Sequence, residues 1–166
     1  MKETESSYRL FVSVAGMNTD RRQYPQHTWM ALLEDPSGQI VWSNSDDKPE
    51  GMDGSQSDIL HAAIRAAVDH IPDGAAVLLF APQRFVYDIY HVSREQRRQE
   101  RYRGSNKKER PQAGTIRAID DETERRGIIL IGRLPELHQE YDRLKEVQLG
   151  AAERWENIPT EAVREF

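Results

Sequence analysis

A basic segment between Arg94 and Arg110 concentrates side chains that could contact phosphate. It has eight basic residues against three acidic ones, a local balance of +5, in a chain of 166 residues with a formal net charge of −5. The rest of the chain therefore carries −10. Such a segment can be a solvated helix with internal pairs, for example Glu100 with Arg97 or Arg103. It can also be a surface that neutralises phosphates.

The phosphate-binding interpretation gives a role to nine residues of the segment. Their cations would neutralise backbone charge without reading bases, and an aromatic ring among them would stack on a sugar or base. The nine residues are Arg94, Arg97, Arg98, Arg101, Tyr102, Arg103, Lys107, Lys108 and Arg110, with Tyr102 as the stacking ring.

Several common catalytic patterns are missing from the sequence. There is no cysteine, which excludes disulfides, thiolate nucleophiles and zinc sites with sulfur ligands. The five histidines form no H-E-x-x-H pair, and neither a nucleophile elbow nor a glycine-rich nucleotide loop is present. An acidic stretch over residues 46–58 lacks the ligand spacing of an EF-hand. Any chemistry must use oxygen and nitrogen groups, and we expect no cofactor.

The first half of the chain predicts three strands and a helix. Strong β-formers over residues 8–15 predict the first strand. Residues 28–34 and 39–43 are apolar runs joined by an Asp-Pro-Ser-Gly turn, which predicts a hairpin. A polar loop over residues 44–54 follows. Residues 55–71 repeat apolar side chains at helical spacing behind a serine cap, which predicts a helix.

The second half alternates strands and helices around the basic segment. The continuous apolar run 75–81 is typical of a strand buried on both faces. Helices are predicted over residues 83–92, 115–126 and 135–155, and a further short strand over 128–131. Three strands in succession followed by crossover units require a mixed sheet with helices on its faces.

Three short motifs occur at defined places in this order of predicted strands and helices. Residues 59–64 (ILHAAI) begin the first helix, residues 82–86 (PQRFV) follow the buried strand, and residues 101–111 belong to the basic segment. Together with the element order they resemble the ribonuclease H family, in which a helix motif, a strand-ending Asp-Ser-x-Tyr-Val and a basic handle occupy these places. The resemblance covers residues 8–155.

The resemblance implies an α/β fold of ribonuclease H type. We expect a five-stranded mixed sheet, with three antiparallel strands and then two parallel ones, flanked by helices. We expect one domain over residues 1–166, with flexible tails at 1–7 and 156–166. Residues 94–114 would be a handle-like insertion that lies against nucleic acid.

The same resemblance exposes a loss of acidic residues. Ribonuclease H enzymes hold two divalent ions with converging carboxylates. Ala15, Ile59 and Pro82 stand where the first strand, the first helix and the fourth strand of the family carry acids. Asp142, followed by Arg143 and Leu144, resembles the family's last acid and is a possible remnant.

Three other aspartates are candidates for a relocated metal site. Asp58 is adjacent to the expected glutamate position, Asp88 lies on the next helix, and Asp20 follows the first strand. One residue along a helix turns a side chain by about 100°, so Asp58 should face away from the expected site. A magnesium or manganese site would need all three of these aspartates to be placed as ligands together.

The sequence favours a catalytically degenerate ribonuclease H-like domain that binds an RNA/DNA hybrid, DNA or RNA without cleaving it. One alternative is a divergent metal-dependent nuclease with relocated acids, and another is a protein-interaction scaffold. The start of the chain has no signal-peptide core and no apolar run is long enough to span a bilayer, which predicts a cytoplasmic protein without membrane contact.

Overall fold

A mixed β-sheet forms the centre of the molecule in the computed structural model, which describes residues 6–17 and 26–158. The strands lie in the order β3-β2-β1-β5-β6, and a two-residue β4 pairs with β2. β1 is antiparallel to β2 and parallel to β5, and β6 is parallel to β5. The strands are β1 Tyr8–Met17, β2 Gln26–Glu34, β3 Ile40–Ser43, β4 Met52–Asp53, β5 Ala76–Phe80 and β6 Ile129–Gly132.

Within residues 6–17 and 26–158, five helices accompany the sheet. They are α1 Gln56–Val68, α2 Arg84–Tyr90, α3 Arg94–Gln99, α4 Ala113–Arg125 and α5 His138–Glu156. None of the helices in the described ranges is both long and apolar enough to cross a membrane.

The sheet is covered on both faces because successive strand side chains point to opposite sides. Leu10, Val12 and Val14 of β1 belong to the larger core, which also contains the apolar residues of α1 and α4. Phe11 of β1 belongs to the second core, where it stacks on Phe80 of β5 with ring centroids 4.9 Å apart. Leu144, Val147 and Ala151 of α5 complete that second core.

The predicted α/β class, the mixed sheet and the order of its elements are confirmed. One difference lies in residues 44–54, where the predicted loop contains β4, paired with Gln26 and His27 of β2. A second concerns the last helix, predicted from residue 135 but beginning at His138. Its start is fixed by Glu140, whose carboxylate accepts backbone N–H groups of Glu136 and Leu137 at 2.8 and 3.0 Å.

Candidate nucleic-acid interface

Arg97 lies at the centre of the basic segment, and its side chain is buried. The guanidinium donates to both carboxylate oxygens of Asp120 on α4, at 3.0 and 2.7 Å, and to the carbonyl of Val92 at 2.6 Å. It also lies over the ring of Tyr90, with its carbon 5.0 Å from the ring centroid. Only 7% of the Arg97 side chain and 1% of the Asp120 side chain are exposed. The ion pair therefore fastens α3 to α4 inside the protein.

Tyr102 joins the same buried cluster. Its backbone is in the left-handed region, with φ of 59°, and its hydroxyl donates to Asp120 at 3.1 Å. Burial and the nearby Asp120 charge raise the pKa of Tyr102. The guanidinium of Arg117 lies 5.0 Å from its ring centroid. Arg97 is 6% exposed and Tyr102 is 5% exposed, and both side chains bind Asp120, so the structure does not present them for the predicted phosphate contact and base stacking.

Arg94 and Arg98 also have protein partners. Arg94 donates to the Thr123 hydroxyl at 3.2 Å and to the Ile128 carbonyl at 2.9 Å. Arg98 forms ion pairs of 3.0 Å with the carboxylates of both Asp121 and Glu124, and this contact lowers the pKa of Glu124. The charges of Arg97 and Arg98 are thus compensated by acids of α4, and Glu100, the predicted partner of Arg97, is not the residue that pairs with it. Arg94 pairs within α3, with Glu95 at 3.5 Å.

The remaining cations lie on one loop, residues 101–110, which we name the basic loop. Arg101, Arg103, Lys107 and Lys108 are exposed and Arg110 is half-buried. Throughout residues 6–17 and 26–158, no carboxylate lies within ion-pair distance of any of these five. The loop carries five positive charges against the single acid Glu109. It is the part of the segment whose charge remains available.

Backbone hydrogen bonds give the basic loop a defined shape. The N–H of Gly104 donates to the carbonyl of Lys108 at 2.8 Å, and the N–H of Arg110 donates to that of Tyr102 at 2.9 Å. Arg101 and Lys107 have positive φ values of 55° and 65°, which turn the chain at both ends. Non-glycine residues adopt this region uncommonly, and tertiary contacts must hold them there. The buried Tyr102 hydroxyl supplies such a contact.

The three residues predicted to replace metal ligands lie on β1, on α1 and just after β5. Ala15 of β1 is half-buried opposite Thr28, Ile59 of α1 is 3% exposed, and Pro82 follows the end of β5 by two residues. None of these side chains carries an oxygen atom. Side chains of these three types cannot supply carboxylate ligands to a pair of divalent ions.

Each relocated candidate within the described ranges has another partner. Asp58 is the third residue of α1, where it completes a capping box with Ser55 and accepts from Gln112 at 2.9 Å, a bond that lowers the pKa of Asp58. Asp88 contacts Arg84 at 3.4 Å, and Asp142 contacts His138 at 3.4 Å. Asp20 lies outside the described residues.

Clusters of metal-ligating side chains are absent elsewhere in the described part of the chain as well. Among residues 6–17 and 26–158, no group of three or more histidines, aspartates and glutamates is arranged to hold a metal ion. The structure therefore brings together the cations of the basic loop and does not bring together the proposed acids that it describes.

Comparison of the coordinates with solved structures gives three informative neighbours. The foamy viral protease-reverse transcriptase, solved in complex with an RNA/DNA hybrid, aligns with a TM-score of 0.67 at 13% identity over 95% of this chain and 21% of that one. The ribonuclease H domain of PFV aligns at 0.62 and 12% identity, over 92% and 98% of the two chains. LC11-RNase H1 in complex with an RNA/DNA hybrid aligns at 0.55 and 11%, over 89% and 98%.

The fold is that of ribonuclease H. At these identities the likeness concerns the fold alone, and this ribonuclease H-like chain spans about a fifth of the viral protease-reverse transcriptase chain. No protein-family model matches the sequence, and no curated protein matches it.

Sequence reasoning missed Asp120 as the residue that organises the basic segment. A signal was present, because Asp120 lies four residues after Ile116 and follows Ile119, which places its carboxylate on the apolar face of α4. A charge on such a face needs a buried partner. Arg84, Tyr87 and His91 on and next to α2 were also not singled out as a group.

Proposed function

We propose that this ribonuclease H-like domain binds nucleic acid through the phosphates that contact its basic loop, without cleaving the strand. The observation that carries the proposal is the set of four exposed cations, Arg101, Arg103, Lys107 and Lys108, on a loop attached to the core through Tyr102. Two structural neighbours were solved with RNA/DNA hybrids, which supports nucleic acid as the partner class.

The distribution of charge favours contact by this loop over contact by the whole surface. The chain has a net charge of −5, so most of its surface repels a polyanion. The basic loop carries five cations, and each cation that neutralises a phosphate on duplex DNA changes the slope of log K against log salt by about −0.9. A five-cation contact predicts a slope of about −4 to −5.

The proposal that binding occurs without cleavage depends on the acid positions. Side chains at Ala15, Ile59 and Pro82 bring no oxygen ligands, and Asp142 is 65% exposed beside His138. A single carboxylate does not hold two dications.

Binding is tested by fluorescence anisotropy with a labelled RNA/DNA hybrid, the matching DNA duplex and the matching RNA strand, across a range of salt concentrations. The test variant is Lys107→Glu with Lys108→Glu. Its matched control is Lys48→Glu with Lys145→Glu, which makes the same change of net charge at exposed lysines outside the basic loop. We expect the test variant to bind all three probes more weakly, with the salt slope reduced by about 2.

Equal weakening by both double variants would contradict the proposed location of binding. Absent or salt-independent binding by the parent chain would contradict the proposed function itself. A pull-down that recovers no nucleic acid but a stable protein partner would favour the scaffold alternative.

Cleavage is tested separately with the labelled hybrid, magnesium or manganese, and an EDTA control. We expect the substrate to remain intact. Metal-dependent cleavage that disappears in Asp142→Asn would restore the nuclease alternative.

A further inference from the structure

Three side chains of α2 and its C-terminal end form a stacked column. The guanidinium carbon of Arg84 lies 5.1 Å from the ring centroid of Tyr87, and the rings of Tyr87 and His91 are 4.8 Å apart and nearly parallel, at 17°. The Nδ1–H of His91 donates to the carbonyl of Tyr87 at 2.9 Å, which fixes the orientation of its ring. His91 and Arg84 are exposed and Tyr87 is half-buried.

The His91 end of this column faces a cleft between α2, α3 and the basic loop. The cleft has a volume of about 280 Å³, and its lining includes His91, Val92, Tyr102, Arg103 and Arg110. At roughly 30 Å³ per water molecule, this space corresponds to about nine waters, which is room for one planar ring. A base inside a duplex already has both faces stacked on its neighbours, so only an unpaired base can stack on His91. The cleft thus joins an aromatic surface to two cations of the basic loop.

We propose that this cleft receives one unpaired nucleobase, stacked on the ring of His91, while Arg103 and Arg110 contact the phosphate of the same nucleotide. The inference rests on the proposed function and specifies its ligand as a strand with at least one unpaired base. Stacking on aromatic rings tolerates every base because each base has a π-face, so we expect no strong sequence preference.

The charges around the cleft favour this orientation of the nucleotide. Asp88 and Glu100 also line the cleft and repel a phosphate that enters it, whereas a neutral base is not repelled. Arg97 lines the cleft as well, but its charge is already compensated by Asp120. Arg103 is exposed and Arg110 half-buried, so their cations are available to a phosphate at the edge.

The experiment compares two single-stranded probes with equal numbers of phosphates, a thymidine homopolymer and the same strand made entirely of abasic sites. We expect the parent chain to bind the thymidine strand about tenfold more tightly, since stacking is the only contact that the abasic strand lacks. His91→Ala and, as a second variant, Tyr87→Leu should bring this ratio close to one. Neither substitution should change the salt slope of thymidine binding, because both leave the phosphate contacts of Arg103 and Arg110 in place.

His138→Ala is the matched control, because it removes an exposed histidine from α5, outside the cleft. It should keep the preference for thymidine, and circular dichroism should show that all three variants are folded. Equal, salt-dependent binding of both probes by the parent chain would refute the cleft and leave the proposed function intact. A preference that persists in both His91→Ala and Tyr87→Leu would also refute it. Failure to bind either probe or any duplex would refute the proposed function and this inference together.

Discussion

Asp120→Asn should destabilise the protein severely, because it leaves the Arg97 guanidinium buried without its counter-charge. Asn keeps the shape of Asp, but it removes the charge and replaces one of the two acceptor oxygens that Arg97 contacts with an N–H donor. Arg97 is 7% exposed and contacts Asp120 at 2.7 Å, which places the pair in the class of buried ion pairs. Breaking such a pair by removing one partner costs about 3–5 kcal/mol. For a domain of this size that corresponds to a fall in Tm of about 6–20 °C.

The measurement is guanidinium-induced unfolding, followed by far-ultraviolet circular dichroism and by tryptophan fluorescence. Asp121→Asn is the matched control, because Asp121 is the next residue and contacts Arg98, but its side chain is 64% exposed. An exposed pair contributes about 0–1 kcal/mol, so the control should unfold close to the parent. Adding Arg97→Met to Asp120→Asn should recover part of the lost stability, since no uncompensated charge then remains buried. Equal unfolding free energies for Asp120→Asn and Asp121→Asn would refute the assignment of the buried pair.

Four further substitutions test other parts of the fold. Ser55→Ala should lower the unfolding free energy by about 1 kcal/mol in a denaturant titration, because it removes the N-cap of α1. Gly132→Ala should destabilise by about 1–3 kcal/mol in the same titration, since the new methyl group would lie 3.1 Å from the Tyr90 backbone, whereas Gly114→Ala in the open first turn of α4 should stabilise by about 0.4–1 kcal/mol. Burial lowers the pKa of His61 below its ordinary 6.5, so the unfolded chain binds the proton more tightly. Protonation of His61 should therefore leave the free energy of unfolding unaffected above pH 6.5 and lower it as the pH falls below that value. His61→Leu should reduce this decline in denaturant titrations at several pH values.

The sequence predicted the elements of the fold well, because its apolar residues repeat with clear periods. Strand β5 and helix α1 differ from their predicted ranges only at the ends. Strand β4 was not predicted, because two residues are too few to show a period and their pairing with β2 is a long-range contact.

A count of charges cannot show which cations of the basic segment are buried and which are exposed. Its eight cations are equivalent in the sequence, but Arg97 is buried and Arg101 is exposed four residues later. The separation depends on Asp120, which is 23 residues from Arg97. It also depends on left-handed backbone at Arg101 and Tyr102, a conformation that local preference disfavours for both residue types. Neither cause is visible in a local pattern.

The cations of the basic segment are divided between core and surface, and this division determines how the basic loop is held in shape. Five like charges on ten residues repel one another, and in the absence of a polyanion this repulsion favours a looser loop. The Tyr102 hydroxyl, held by Asp120, opposes that tendency by fixing the backbone between Arg101 and Arg103. Phosphates that contact the loop relieve the repulsion, so binding and loop order should reinforce each other. The buried pair Arg97–Asp120 thus positions the residues of the proposed interface without itself contacting the nucleic acid. Its loss should weaken binding even where the fold survives.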